Sequence, residues 1–378
     1  MPPRLFFRWL GLGMVALLGA GLLGEAAVRT LGLVDRLNGY PRRLYVATTG
    51  GLPYALRPGM DVDVRGARVR TNALGLRGPE IEPAPTAGRR RVLLVGDSVA
   101  FGYRVPEAET LAVQLEAELG RRSGAPWQLV NGGVEGYDTR AELAFLRQTG
   151  FGLAPETIVL VFNLNDFDAP PVIGPGGVLT NERVSAGCSD ALAQVSEFHL
   201  LLRWLIRSGG GLPAPAGPAT IGGSGGAAPA FGELDRFVSA LRKNYWRQPS
   251  DGRREAMVES LRSMREESTA RGIRLVVAIS PDGDQLGVAA PDLTPQWRLA
   301  TICRELGLEC LDLRETFAAQ GGTEPLFLDI THPSAAGLRI MADAIAARIL
   351  DSASAQLGPG RQSAPDQPPG SGPAHRRR

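Results

Sequence analysis

From Arg91 onward, short unbroken apolar runs alternate with segments whose apolar residues recur at helical spacing, and this alternation leaves the chain few folds to adopt. Val92-Leu93-Leu94-Val95 is bounded by charge and by Gly96, the pattern of a strand buried on both faces. Leu111, Leu115 and Leu119 fall on one helical face, and Leu129-Val130 reads as a second strand. Leu143 and Leu146 lie on a helix that stops at Gly150, and Ile158 to Phe162 form a third strand. Met257, Leu261 and Met264 mark a helix ending at Gly272, followed by a strand over Leu275 to Ile279. A further helix leads to a fifth strand at Cys310 to Leu313, and a last helix carries Leu338, Met341, Ile345 and Ile349. Such alternation calls for a parallel sheet covered by helices on both faces.

The N-terminus stands apart from that pattern. Arg4 and Arg8 precede an apolar run from Trp9 to Gly24 that ends at Glu25. As a helix, its 16 residues span roughly 24 Å, against about 30 Å for a hydrocarbon core. Phe6 and Phe7, with Arg8 snorkelling, lengthen it on one side and Ala26 to Val28 on the other. The run shows no polar face, which argues against a buried core helix. Residues 1–28 are therefore a retained membrane anchor or a signal peptide cleaved near Gly24-Glu25-Ala26. Under the first reading the main domain is held to a membrane outside the cytoplasm, and under the second it is secreted.

Residues 29–90 carry turn signals at Gly50-Gly51, Pro58-Gly59 and Pro83-Ala84-Pro85. They read as a juxtamembrane extension packed on the main domain, with a small hairpin around Val62 to Arg70. The main domain spans 91–350 and is interrupted by an insertion over 167–250. That insertion holds an amphipathic helix near Glu197 to Ile206 and a Gly/Pro/Ala-rich loop, 208–230, too poor in apolar surface to order itself. Residues 351–378, ending in three arginines, read as a disordered tail.

Composition removes several alternatives. Hydrophobic residues at 44% and charged residues at 21% exclude wholesale disorder. Lys+Arg 41 against Asp+Glu 39 leaves a net charge of +2, too balanced for nucleic acid as the main partner. Cys188, Cys303 and Cys310 have neither metal-ligand spacing nor the look of a disulfide framework. They read as small buried side chains, with Cys303–Cys310 the pairing that an oxidising compartment could close. No metal or cofactor is suggested by ligand spacing.

Chemistry concentrates at the ends of the strands. Gly96-Asp97-Ser98-Val99-Ala100-Phe101-Gly102 follows the first strand directly, placing a serine where ligands bind in open α/β sheets. A serine hydroxyl needs a base to become a nucleophile. Of His199, His332 and His375, only His332 has a carboxylate at an orienting distance, in Asp329-Ile330-Thr331-His332-Pro333. Asp329 on the same turn can accept the Nδ1 hydrogen and leave Nε2 to face a serine. Asn131-Gly132-Gly133-Val134-Glu135-Gly136 and Asn163-Leu164-Asn165-Asp166 follow the second and third strands. A glycine N–H, an asparagine amide and the N–H of Ser98 together would make an oxyanion hole.

With these four blocks in this order, the chain resembles the SGNH (GDSL-type) hydrolases, and in particular membrane-anchored, exported members. The resemblance covers roughly 91–350 apart from the insertion. It implies a three-layer α/β/α sandwich with a parallel, flavodoxin-like sheet of about five strands. It also implies that Ser98 is the nucleophile, His332 the base and Asp329 its orienter. The oxyanion hole would comprise Ser98, Gly136 and Asn165, with Gly133 a neighbouring candidate for the glycine. One residue departs from the family's GxND block, whose leading glycine is Asn163 here; asparagine tolerates positive φ better than most residues. Arg70-Thr71-Asn72-Ala73-Leu74-Gly75-Leu76-Arg77-Gly78 resembles an NxxGxRG element of exported members and reads as a turn that docks the extension.

The resemblance implies two-step acyl transfer without metal or cofactor. The leading expectation is an extracytoplasmic serine esterase acting on O-acyl groups, such as acetyl groups of a cell-envelope polysaccharide. An O-acyltransferase using the same triad is the alternative, and a non-catalytic envelope binding module is the third.

Overall fold

A computed structural model of the chain describes residues 3–34, 44–166, 168, 170–173, 179–180, 196–199, 201–202, 245–247, 252–287, 291–320 and 325–356. Cys188, His375, the loop 208–230, the tail beyond 356 and most of the insertion lie outside the described residues, as does most of the amphipathic helix near Glu197 to Ile206.

Helix α1 (Pro3–Leu31) contains a 25-residue stretch, Phe7–Leu31, within which an 18-residue window reaches a mean hydropathy of 1.7. At 1.5 Å per residue the whole stretch is about 38 Å, long enough to cross a bilayer by length and composition. Leu17, Leu18, Leu22 and Leu23 are exposed along it. The helix outruns the apolar stretch ending at Glu25 because Glu25 stays helical and pairs with Arg29 one turn on.

The extension forms two short antiparallel ribbons. Strand β1 (Tyr45–Val46) pairs with β2 (Ala55–Leu56), and β3 (Asp61–Val64) pairs with β4 (Ala67–Arg70), the hairpin expected from the sequence. Leu44, Tyr45, Tyr54, Leu56, Val64, Val69 and Leu76 are buried in the same apolar cluster as the central sheet.

That sheet has five parallel strands: β5 (Arg90–Gly96), β6 (Trp127–Asn131), β7 (Thr157–Phe162), β10 (Arg274–Ile279) and β11 (Glu309–Asp312). A two-residue ribbon of β8 (Val172–Ile173) and β9 (Leu179–Thr180) follows β7. The spatial order is β11-β10-β7-β5-β6, which among the sheet strands is the flavodoxin-like order 2-1-3-4-5. Alternate residues of each strand feed opposite layers. Leu93, Val95, Leu160 and Val277 pack under α4 (Thr139–Gln148), α5 (Arg253–Ala270) and α6 (Thr294–Leu306). Val92, Leu94, Val159 and Ala278 pack under α3 (Leu111–Ser123), α7 (Arg314–Ala318) and α8 (Ala335–Gln356). The fold is thus the expected three-layer sandwich.

Two details differ from the sequence reading. Helix α8 runs to Gln356, past the point where the tail was expected to begin. Cys303 and Cys310 form a disulfide instead of remaining separate thiols. Cys303 lies in the last turns of α6, and the αL residue Gly307 folds the chain back so that Cys310 in edge strand β11 comes alongside it.

Candidate active site

Ser98 is the first residue of a four-residue helix, α2 (Ser98–Phe101), that springs from the end of β5. Asp97 caps this helix, its Oδ1 accepting the Val99 N–H at 2.9 Å. The next strand in the sheet is β7, and strand order reverses at the β5/β7 step, where open α/β sheets bind ligands. The Asn163–Asp166 turn after β7 therefore arrives beside Ser98 without any long-range device.

His332 comes from the loop before α8. The Leu328 N–H donates to the His332 carbonyl at 2.8 Å, and the N–H groups of Thr331 and His332 both donate to Asp329 Oδ1 at 2.9 Å. The resulting turn sets both carboxylate oxygens of Asp329 2.8 Å from His332 Nδ1. On the other side of the ring, Nε2 lies 2.9 Å from Ser98 Oγ. With a neutral imidazole, Nδ1–H donates to Asp329 and Nε2 accepts from the serine hydroxyl. Burial alone would raise the Asp329 pKa. The hydrogen bond and charge of His332, with the two backbone N–H groups, outweigh it and hold the pKa at about 2. Tyr103 stacks on the imidazole, ring centroids 4.2 Å apart, a contact that no sequence pattern signalled.

The two glycines after β6 differ in what their N–H groups do. That of Gly133 is occupied, donating to Asn131 Oδ1 at 3.0 Å. Neither the Gly136 nor the Ser98 N–H makes a hydrogen bond among the described residues. Gly136 has φ +76°, and a Cβ there would sit 2.8 Å from Pro171 and 2.9 Å from the Tyr54 hydroxyl, so the position demands glycine on two counts. Asn165 is partly buried, and its Oδ1 has no hydrogen-bond partner among the described residues.

The glycine-to-asparagine departure at position 163 needs no positive φ. Asn163 instead uses its side chain: Nδ2 donates to Asp97 Oδ2 at 3.2 Å, while its N–H donates to Asp166 Oδ2 at 2.9 Å. The substituted residue thus ties the turn after β7 to the serine's own capping residue.

A cluster of buried acids lies behind these turns. Burial pushes Glu142 and Asp166 well above the usual carboxylate range, and the neighbouring carboxylates, Asp97 among them, add to the effect. Glu135, between the two candidate glycines, is fully enclosed and raised to about 7 by desolvation, which the Tyr45 hydroxyl and the charges of His332, Arg77 and Arg65 only partly offset. The Tyr45 hydroxyl donates to Glu135 Oε2, and that of Tyr54 donates to the Glu135 carbonyl at 2.6 Å. Tyr45, Tyr54, Tyr103 and Glu135 all escaped sequence reasoning. Among the described residues no group of three or more His, Cys, Asp or Glu is arranged to hold a metal ion.

The family model for GDSL-like lipases and acylhydrolases matches residues 94–340. The chain belongs to this family. Solved structures similar to this GDSL chain include a lipase/acylhydrolase from Enterococcus faecalis, 14% identical with a TM-score of 0.39 over 70% of this chain and 96% of that one. A GDSL-like lipase from Bacteroides thetaiotaomicron is 13% identical, TM-score 0.35, over 71% and 91%. A variant of an acetyl-xylooligosaccharide esterase from Geobacillus is 14% identical, TM-score 0.40, over 68% and 93%. A comparison with curated protein sequences found no match. Family membership makes this chain a hydrolase acting on esters.

Proposed function

We propose that this GDSL-family chain is an extracytoplasmic serine esterase that removes O-acyl groups through a Ser98–His332–Asp329 triad. The observation that carries the reading is the continuous hydrogen-bonded path from Ser98 Oγ through the imidazole to Asp329, at 2.9 and 2.8 Å. His332 Nε2 takes the Ser98 proton as Oγ attacks the ester carbonyl. Asp329 keeps Nδ1 protonated and stabilises the imidazolium that forms. The N–H groups of Ser98 and Gly136 and the amide of Asn165 receive the oxyanion. His332 then protonates the leaving alcohol, and water, deprotonated by His332, releases the acyl group.

Two observations support this compartment: an apolar helix long enough to span a bilayer, and a disulfide at Cys303–Cys310, the state of cysteines outside a reducing cytoplasm. Such a protein meets acylated envelope glycans, and we take their acetyl esters as the substrate to test first. The experiment measures p-nitrophenyl acetate and O-acetylated glycan hydrolysis by the full chain in detergent. Ser98→Ala and His332→Ala each lower turnover by roughly 10³-fold or more while retaining the wild-type circular dichroism. Activity that survives in both variants contradicts the triad.

A further inference from the structure

The segment Arg70–Gly78 contains more construction than a docking turn requires. Asn72 Oδ1 accepts the N–H groups of Leu74 and Leu76, each at 3.0 Å, and its Nδ2 donates to the Pro79 carbonyl at 3.1 Å. The chain then reaches Arg77, whose backbone bridges to both Thr71 and Asn131. Only 3% of Arg77 is exposed. Burial pulls its pKa down to about 10, so it stays charged at neutral pH.

The two Nη nitrogens of the guanidinium donate to backbone, while Nε has no hydrogen-bond partner among the described residues. Nη1 donates to the carbonyls of Phe101 at 2.9 Å and Gly102 at 2.7 Å, and Nη2 donates to the Val105 carbonyl at 2.7 Å. The Phe101 and Gly102 carbonyls end the four-residue helix that begins at Ser98, and that of Val105 follows the turn after it; the Gly102 carbonyl also accepts the Val105 N–H at 3.1 Å. Asn131 Nδ2 donates to the same Phe101 carbonyl at 3.3 Å, while its Oδ1 accepts the Gly133 N–H. One cation therefore anchors the back of the serine's helix and meets the start of the loop that carries Gly136.

We propose that Arg77 is a positioning residue for ester cleavage: it fixes Ser98 Oγ relative to the Gly136 N–H by clamping the carbonyls of Phe101, Gly102 and Val105 against the Asn131–Gly136 loop. The inference rests on Ser98 being the nucleophile. A four-residue helix cannot hold its own end rigidly, and a displacement of about 1 Å at reacting atoms costs on the order of 10²-fold in rate.

Arg91 supplies a matched control. It is as deeply buried and also donates to carbonyls, those of Glu82, Pro83 and Leu153, but at the opposite end of β5 from Ser98. The test compares Arg77→Lys and Arg91→Lys in the full chain by kcat, KM, the rate of fluorophosphonate labelling and the urea midpoint. Arg77→Lys lowers kcat and the labelling rate roughly 10- to 100-fold with KM within about threefold of wild type, whereas Arg91→Lys keeps kcat within about twofold. Arg77→Ala regains part of its kcat in low-millimolar guanidinium but not in equal sodium chloride or urea. Unchanged kcat in Arg77→Lys, or equal losses in the two lysine variants, overturns the proposal. Should Arg77→Lys fail to fold, Asn131→Ser decides: reduced kcat at wild-type KM supports the clamp, and wild-type kcat contradicts it. Wild-type turnover that persists in Ser98→Ala is a separate result and removes the triad itself.

Discussion

The carboxyl of Glu135 sits one residue before the glycine assigned to the oxyanion hole, enclosed by protein and raised to about 7. Its ordinary value is 4.5, so the folded chain holds this proton more tightly than the unfolded chain does. The stability it contributes is complete below about pH 4.5 and is lost as pH rises through about 7. At about 1.4 kcal/mol per pKa unit the loss approaches roughly 3 kcal/mol. Glu135→Gln, which still accepts from Tyr45, removes this slope, so wild type loses stability relative to the variant between about pH 5 and pH 8. Urea unfolding of both proteins across that range measures it, and parallel pH profiles contradict the assignment. Glu135 was invisible in the sequence because its setting is made by Tyr45 and Arg77, residues 90 and 58 positions upstream. Ser98, Asp329 and His332 were legible because their chemistry is written locally, in a strand end and in a single turn.

At the scale of elements, the turn after β7 carries the lesson of Asn163. Motif comparison marks the residue as a departure, but its amide holds Asp97, and Asp97 caps the helix of Ser98. Restoring the family's glycine with Asn163→Gly deprives a buried carboxylate of a donor, which costs about 1–3 kcal/mol. A urea midpoint lowered by that amount is the expected outcome; an unchanged midpoint means the bond contributes nothing. The strands were read close to their true bounds because buried parallel strands are continuous apolar runs, as Ile158–Phe162 is within β7. The Cys303–Cys310 bridge was harder to see, since it depends on how tightly Gly307 turns the chain between a helix and an edge strand.

Across the whole molecule, strand–helix alternation led to a parallel sheet covered on both faces, and the family resemblance implied its flavodoxin-like order, in which β5 and β7 meet where the site lies. The extension is where sequence reading saw least. Its fragments are short and lack periodicity, yet Tyr54, Val69 and Leu76 enter the main core, and Arg77 reaches the serine's helix. A boundary near residue 90 therefore separates patterns in the sequence and not separately packed bodies. In the proposed reaction the whole arrangement serves Ser98 as the nucleophile. The most direct test is fluorophosphonate treatment of the full chain, followed by peptide mass mapping of the adduct. The expected result is a single adduct on Ser98 that disappears in Ser98→Ala and forms far more slowly in His332→Ala. A folded wild-type chain that gains no adduct, or gains one on another residue, contradicts it.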